Sequence, residues 1–476
     1  MKSANDRIPS GPERARKAAA KAGEVVADDP IYKVDELATV PKMLKRILVI
    51  AAGVLLGALL SVGSARVAAA WGFWPNRELD QSARYVREVL STVNDNYVDA
   101  DKSAFPKLTE AALRGMLESL DPHSEYMNSR DYKKLEEDIS SEFGGIGVQV
   151  EMRNGKVVVI APIAGTPGAK AGILRGDVFL SVDGVALEKP ALDEVIGRLR
   201  GKPGTQVRVG FTRPSTTTDF EVTLKRERIK VESVREVHLR ADAIGYLEIT
   251  QFGERTSEEF IGALNTLNAQ GMRALIIDLR DNPGGLLTAA VEVAEPFFTK
   301  GELIAYTQGR KSQDRDEYRA AAPEAPLTLP LAVLINGGSA SAAEIVSGAL
   351  KDTRRAVVVG ERSFGKGSVQ TILPLRQGEG LRLTTARYYT PSGVTLHEKG
   401  VVPDVEVVMS SAEDESARIQ RSRDDVVDPV EFKERFSIER TPDRQLDAAV
   451  AVLQATILLE IRGDRPAAAP LAAKKP

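Results

Sequence analysis

With 476 residues, 43% apolar and 28% charged, the chain has the composition of soluble globular protein and the length for two or three domains with real cores. Its 67 acidic and 64 basic residues leave a net charge of −3, so no basic field argues for nucleic acid and no nucleic-acid-binding signature appears. Cysteine is absent, which excludes thiolate catalysis, cysteine-held metals and disulfides, and His123, His238 and His397 show no metal-ligand spacing such as H-E-x-x-H.

Residues 1–46 are charged, rich in alanine and lysine and without a sustained apolar pattern, the signature of a disordered tail. The uncharged run Ile47 to Ala65 is long enough to cross a bilayer, and Lys42, Lys45 and Arg46 before it orient that end to the cytoplasm. Residues 47–66 therefore read as a transmembrane signal anchor. Ala68-Ala69-Ala70 could serve a signal peptidase, but the polar stretch before the span is far longer than a signal peptide carries, so an uncleaved anchor is favoured. Trp71, Phe73 and Trp74 fit an aromatic belt at the outer face, with all that follows in the periplasm or another extracytoplasmic space, on the cytoplasmic (inner) membrane.

Helical spacing then recurs (Val86, Val89, Leu90, Val93; Leu108, Ala111, Ala112, Met116, Leu117), predicting a small helical domain over 76–138. From Phe143 onward, short β-branched runs alternate with glycine and proline turns around one helix pattern, Ala191 to Leu199. Residues 140–228 thus read as a partly open β-barrel with helices. Strand–helix alternation follows over 229–408: Ile244–Ile249, the helix from Ser257, the buried run Ala274–Leu279, the helix from Ala289, then Leu331–Ile335 and Ala356–Val359. It predicts an α/β core with a largely parallel sheet. Residues 409–476 read as a charged linker over Ser410 to Arg440, a helix over Leu446 to Leu459 and a disordered tail, making the whole chain a multidomain α/β protein.

The chemistry concentrates after two neighbouring strands. Ser341, in Ser339-Ala340-Ser341-Ala342-Ala343-Glu344, stands where the Leu331 strand gives way to a helix. Taken alone it is a helix cap, with Glu344 completing a capping box. The same position suits a nucleophile, with amides and the helix dipole facing a developing oxyanion. Lys366, in Phe364-Gly365-Lys366-Gly367-Ser368-Val369-Gln370, follows the next strand. Most lysines are solvated, yet one held between glycines and apolar strands can be buried and lose its proton, and so act as a base. Gln370, polar in a strand-like run, would orient the amine. Gly360 to Lys366 imitates the start of a phosphate-binding P-loop, but Gly367 replaces the required Ser or Thr and a strand pattern follows, which rejects that reading. Asp278-Leu279-Arg280-Asp281-Asn282-Pro283-Gly284-Gly285 is turn-rich, and its glycines permit close backbone approach to a ligand.

In order and spacing these segments, with Leu120-Asp121-Pro122-His123-Ser124, resemble the C-terminal processing peptidases, or tail-specific serine proteases of the Ser–Lys type. These carry L-D-P-H-S, a PDZ domain, D-L-R-x-N-x-G-G, S-A-S-A-x-E and F-G-K-G-x-x-Q. The separation 366 − 341 = 25 matches the family, and the likeness covers roughly 78–408. One departure is Ala343, where the family often has serine. The resemblance implies Ser341 as nucleophile, Lys366 as general base and Gln370 as its orienting partner, with Ala342 and the Gly284-Gly285 pair forming the oxyanion hole. No metal or other cofactor is implied. Gly145-Ile146-Gly147-Val148 resembles the carboxylate-binding loop of PDZ domains, with Ala171 to Asp177 further along as expected. A nest of amides beside a strand open to β-augmentation would take substrate C-terminal tails.

The expected partners are protein substrates with apolar C-termini and the membrane through its anchor, but no nucleic acid. The family sometimes uses a separate adaptor or activating protein, and homo-oligomers through the helical segments are a further expectation. The alternative is a catalytically degenerate PDZ adaptor that only binds C-termini, disfavoured because Ser341, Lys366 and Gln370 are all present. A PDZ-linked histidine-dependent protease would place its protease domain before the PDZ, the reverse of this order.

Overall fold

The computed structural model describes residues 42–70, 76–321, 325–423 and 426–462, in two compact units that divide after Tyr97. The first unit holds helix α1 (Lys42–Ala70) and helix α2 (Arg77–Asn96), the latter capped by Asn76, whose side chain accepts from the amide of Leu79. Within α1, Arg46–Ser64 is long and apolar enough to cross a membrane and is exposed among the described residues. The aromatic belt expected at Trp71, Phe73 and Trp74 and residues 1–41 and 463–476 lie outside the described residues, while the last residues of the tail expected over 1–46 are helical from Lys42.

The second unit opens with α3 (Phe105–Glu118), a short strand β1 (Glu125–Met127) and α4 (Ser129–Ser140). The expectation of a helical domain running from 76 to 138 needs correction here. Residues 98–140 belong to the larger unit, and β1 adds itself to the edge of a sheet hundreds of residues away in sequence. A three-residue strand inside a helical pattern leaves too short a period-2 signal to be read.

A two-stranded ribbon, β2 (Glu142–Gly145) with β9 (Glu227–Lys230), brackets a six-stranded antiparallel sheet. That sheet contains β3 (Val148–Arg153), β4 (Lys156–Pro162), β5 (Val178–Val182), β6 (Val185–Ala186), β7 (Gln206–Arg213) and β8 (Thr218–Lys225). A short α5 (Pro167–Lys170) and α6 (Leu192–Leu199) close it. Alternate strand residues Val157, Val159, Val207, Val209 and Phe211 pack with Val195 and Leu199 of α6 into one core, as the period of a half-buried strand requires.

The remaining chain forms a three-layer α/β unit around a sheet ordered β10 (Val234–Leu239), β11 (Ile244–Ile249), β12 (Ala274–Asp278), β15 (Leu331–Ile335), β16 (Val357–Gly360) and β19 (Val405–Glu406). All pairings from β11 onward are parallel. Leu275, Ile277, Val333 and Ile335 face α7 (Thr256–Ala269), α8 (Leu287–Ala294) and α9 (Ala342–Asp352). Their neighbours Ala274, Ile276, Ala332 and Leu334 face α12 (Arg444–Arg462) through Ala449, Leu453 and Ile457. Both faces are covered, so β12 and β15 are apolar at nearly every position. Beside this sheet stands an antiparallel one that strand–helix alternation did not announce. It comprises β13 (Leu303–Gly309), β14 (Arg315–Arg319), β17 (Ser368–Pro374), β18 (Gly380–Tyr389) and β1.

Residues 410–440, expected to be linker-like, instead contain α10 (Ser411–Ser422) and α11 (Pro429–Phe436). Ser410 and Glu413 complete a capping box at the first, Asp428 caps the second, and Ile419, Val426 and Phe432 make a small core. High charge masked three apolar anchors. Those charges bridge to other parts of the unit: Arg423 and Arg435 pair with Glu151 on β3, and Arg421 with Asp281 and Glu248.

Under α12 sits a buried ionic knot. Arg280, with a fully buried side chain, bonds Asp278 and forks onto Asp443 at 2.8 Å from each of two nitrogens. Burial alone would push the Asp278 carboxyl up, but the Arg280 and Arg421 charges and the Arg280 hydrogen bonds overcome it and hold it at about 2. Replacing Arg280 with methionine strands that carboxylate in the core. The expected cost is about 3–5 kcal/mol, read as a lowered urea midpoint, whereas an unchanged midpoint would show the knot to be dispensable.

Candidate active site

Ser341 ends the turn that leaves the central strand β15 and caps α9, with φ 55° and ψ −113°. A serine rarely adopts positive φ, so the surroundings must hold it there. They do so through the loop after β12. Ala340 N–H donates to Asn282 O at 2.9 Å, Ser339 Oγ to Leu279 O at 2.8 Å, and Asp281 and Asn336 exchange two hydrogen bonds of 2.9 Å. Gly284 packs so closely that a Cβ on it would stand 2.7 Å from Ser341 Cβ, which with its φ of 100° makes glycine necessary.

Of the backbone donors around Ser341, the Gly284 N–H is taken by Asn282 Oδ1 at 2.8 Å. Among the described residues, the amides of Gly285 and Ala342 have no hydrogen-bond partner. Ala342 follows Ser341 directly, and Gly285 follows the glycine that packs against it.

Glu344 joins the two motifs. Its carboxylate is fully buried and accepts four hydrogen bonds: Oε2 from the amides of Ser341 (2.8 Å) and Lys366 (2.9 Å), Oε1 from the Gly365 amide (2.7 Å) and the Ser363 hydroxyl (2.5 Å). Burial pushes its pKa up, and the four donors pull in the opposite direction. Phe364 N–H adds a bond to Ser339 O at 3.0 Å. The lysine loop is thereby fastened to the serine turn at four points.

The Lys366 ammonium is half-buried, and burial lowers its pKa, assisted by the positive charge of Arg382 and opposed by Glu125 and Glu344. His123, of the Leu120 to Ser124 segment, is lowered by burial and then by the charge of Lys366, which puts that segment beside the lysine. No hydrogen bond joins Ser341 Oγ to Lys366 Nζ in this conformation. The serine hydroxyl lies instead against the buried Tyr388 phenol on β18, whose pKa burial raises and Ser341 pulls back. Gln370, on β17, turns its Nε2 to Ser368 Oγ (2.8 Å), Ser368 O (3.2 Å) and Thr384 Oγ1 (3.4 Å) rather than to the lysine.

Sequence reasoning read Glu344 only as a cap and missed its second role. The signal was its place three residues after Ser341, but its grip on the lysine loop is a tertiary contact. Tyr388 gave no signal at all.

A second site lies between β3 and α6. Gly145 to Val148 form a tight loop: Ile146 O and Gly147 O accept inward from Gly168 N (2.7 Å) and Ile163 N (2.9 Å). The Ile146 and Gly147 amides have no partner among the described residues. Gly147, with φ 72°, leaves no room for a Cβ against Thr166. The loop opens on a groove of about 440 Å³ lined by Val148 and Val150 on one side and Ile196 and Leu199 on the other, with Arg423 at its border.

Comparison with known proteins places these features. Residues 243–407 match the model of peptidase family S41, and residues 144–224 that of the PDZ domain. A carboxy-terminal-processing protease of Bartonella bacilliformis is 39% identical over 371 residues, covering 77% of this chain and 83% of that protein. The chain belongs to peptidase family S41. It is a serine-type C-terminal processing peptidase with a PDZ domain. A CtpA-like serine protease of Staphylococcus epidermidis is 35% identical over 76% of this chain and 72% of its own length. A photosystem II D1 C-terminal processing protease of known structure is 32% identical, over 68% of this chain and 92% of that one, with a TM-score of 0.39.

Because a glutamine at position 344 can offer its oxygen to only one of the two donor pairs, its NH2 would face amides on the other side. Glu344→Gln is expected to lower stability by about 1–3 kcal/mol and to reduce peptidase activity more than tenfold. Thermal melts and peptide cleavage measured together check this, and wild-type activity would remove Glu344 from its clamping role.

Proposed function

We propose that this peptidase cleaves its substrates by a Ser–Lys mechanism, with Ser341 as nucleophile, Lys366 as general base and Gln370 as the partner that orients the amine. The observation that carries the reading is the shared carboxylate. Glu344 holds the Ser341 and Lys366 amides on one oxygen, which keeps the serine turn and the lysine loop side by side. The lowered pKa of Lys366 adds to it, since only the neutral amine accepts a proton.

The serine oxygen attacks the scissile carbonyl while its proton passes to Lys366 Nζ. The oxyanion is met by the Ala342 and Gly285 amides, which have no other partner among the described residues, with Gly284 serving to admit the turn. The ammonium then protonates the departing amine, leaving an ester on Ser341. Water attacks the ester, losing its proton to the same lysine, and releases the new carboxyl terminus with the serine reprotonated.

The groove between β3 and α6 receives a substrate's C-terminal tail as an added strand, its carboxylate on the Ile146 and Gly147 amides and an apolar last residue against Ile196 and Leu199. Cleavage then falls near that end. The uncharged run of α1 from Ile47 to Ala65, preceded by Lys45 and Arg46, holds the enzyme on the inner membrane with its catalytic part outside the cytoplasm.

Ser341→Ala and Lys366→Ala are each expected to abolish cleavage of an unfolded substrate with an apolar tail without moving the melting temperature, and amidating the tail should weaken binding. Turnover by either variant sinks the mechanism.

The reaction rises with pH as Lys366 loses its proton, and its acid limb is expected below the ordinary lysine range. Arg382 lowers that pKa and Glu125 raises it. Arg382→Gln should therefore move the limb to higher pH and Glu125→Gln to lower pH. Shifts in the same direction would exclude Lys366 as the titrating base.

A further inference from the structure

The Leu120 to Ser124 segment has no part in the mechanism above, yet it ends in a hydrogen-bonded chain that reaches Gln370. Asp121 Oδ1 accepts from the amides of His123 and Ser124 at 2.8 Å each, and Asp121 Oδ2 from the Ser124 hydroxyl at 2.7 Å. Ser124 Oγ in turn accepts from Thr384 N–H at 3.1 Å. Thr384 Oγ1 donates to Asp121 Oδ1 at 3.2 Å and accepts from Gln370 Nε2 at 3.4 Å.

The direction of each bond follows from the groups. Asp121 is held ionised: burial pushes its carboxyl up, but the Ser124, His123 and Thr384 donors outweigh that and lower it. An ionised carboxylate only accepts, so the single Thr384 hydroxyl proton is committed to it and only lone pairs face Gln370. The other Gln370 amide proton lies between Ser368 Oγ at 2.8 Å and Ser368 O at 3.2 Å, and the carbonyl is acceptor-only. Both protons are thus spoken for. A flip would turn Oε1 onto the Thr384 lone pairs and the Ser368 carbonyl, so Oε1 is the end left to accept from an amine. β1, which follows Ser124 directly, pairs with β18 from Glu125↔Arg382 to Met127↔Gly380 and keeps the chain in register.

We propose that Asp121, acting through Thr384, is a positioning residue for the reaction: it fixes the polarity of the Gln370 amide, so that the oxygen is always presented to Lys366. The inference rests on the reading that Gln370 orients Lys366. It gives the Leu120 to Ser124 segment a part in catalysis from outside the core that carries Ser341.

The test compares Thr384→Val, Asp121→Asn, Gln370→Leu and the Thr384→Val/Gln370→Leu pair in the full chain. The measurements are kcat and KM for an apolar-tailed peptide substrate, the rate at which a fluorophosphonate labels Ser341, and the melting temperature. Thr384→Val removes only the hydroxyl and keeps the strand. It should lower kcat and labelling about 10–100-fold with KM within about twofold, and Thr384→Ser should restore both. The double variant should be no slower than Gln370→Leu alone. Asp121→Asn, whose amide can reverse the Thr384 hydroxyl, should match Thr384→Val. If it fails to fold, Thr384→Val still decides.

A slow Gln370→Leu beside a Thr384→Val of wild-type kcat overturns the positioning role and leaves the Gln370 reading standing. Additive losses in the double variant overturn it as well. A Gln370→Leu of wild-type kcat removes the reading beneath it, and the positioning role with it.

Discussion

One buried carboxylate holds the serine turn and the lysine loop together. Glu344 stands in the first turn of α9, and its four acceptor contacts fasten the serine turn to the lysine loop. A charge in such a place is expensive unless every lone pair finds a donor. Three main-chain amides and a hydroxyl supply them, all from short segments that are otherwise irregular. Neither segment could hold its conformation by strand or helix pairing alone. The carboxylate replaces the missing ladder, and it does so at the positive end of a helix dipole.

Around that clamp the fold supplies two kinds of support. The parallel sheet places β15 next to β16, so their carboxyl ends deliver Ser341 and the lysine loop to the same rim. The antiparallel sheet then closes over the lysine, with β17 bringing Gln370 and β18 bringing Tyr388 and Arg382. Arg382 and Glu125, paired across β1 and β18 at 3.0 Å, set opposing charges near Lys366. The amine is tuned by burial first and by this pair second.

Charge also ties the C-terminal helices to the rest of the unit. Arg280 holds the loop after β12 to Asp443 ahead of α12, while α10 and α11 send Arg421 to Asp281 and Arg423 and Arg435 to Glu151 of the PDZ domain. The loop that shapes the serine turn is therefore gripped from both sides: by Asn336 and Ser339 above, and by the C-terminal segment below. Glu248, beside Arg421, is pushed up to about 7 by burial and by Asp278.

Much of this was legible in the residues. The apolar runs of β12 and β15, the alternation around them and the serine and lysine segments follow from local pattern, because a strand covered on both faces must be apolar throughout. So do the glycines at 147 and 284, where the backbone turns and nothing larger fits. Contacts distant in sequence were not legible. The pairing of β1 with β18, the reach of Asp121 to Thr384 and the double grip of Glu344 depend on segments meeting across long stretches of chain. Residues 410–440 hid two helices, since three buried apolar side chains among many charges leave no period to detect. The sequence by itself determined which groups could do chemistry and which strands must be buried, as those are properties of side-chain type and spacing. Tertiary structure alone decided which donors are spent and which stay open around Ser341, because a hydrogen bond is assigned only when both partners have arrived.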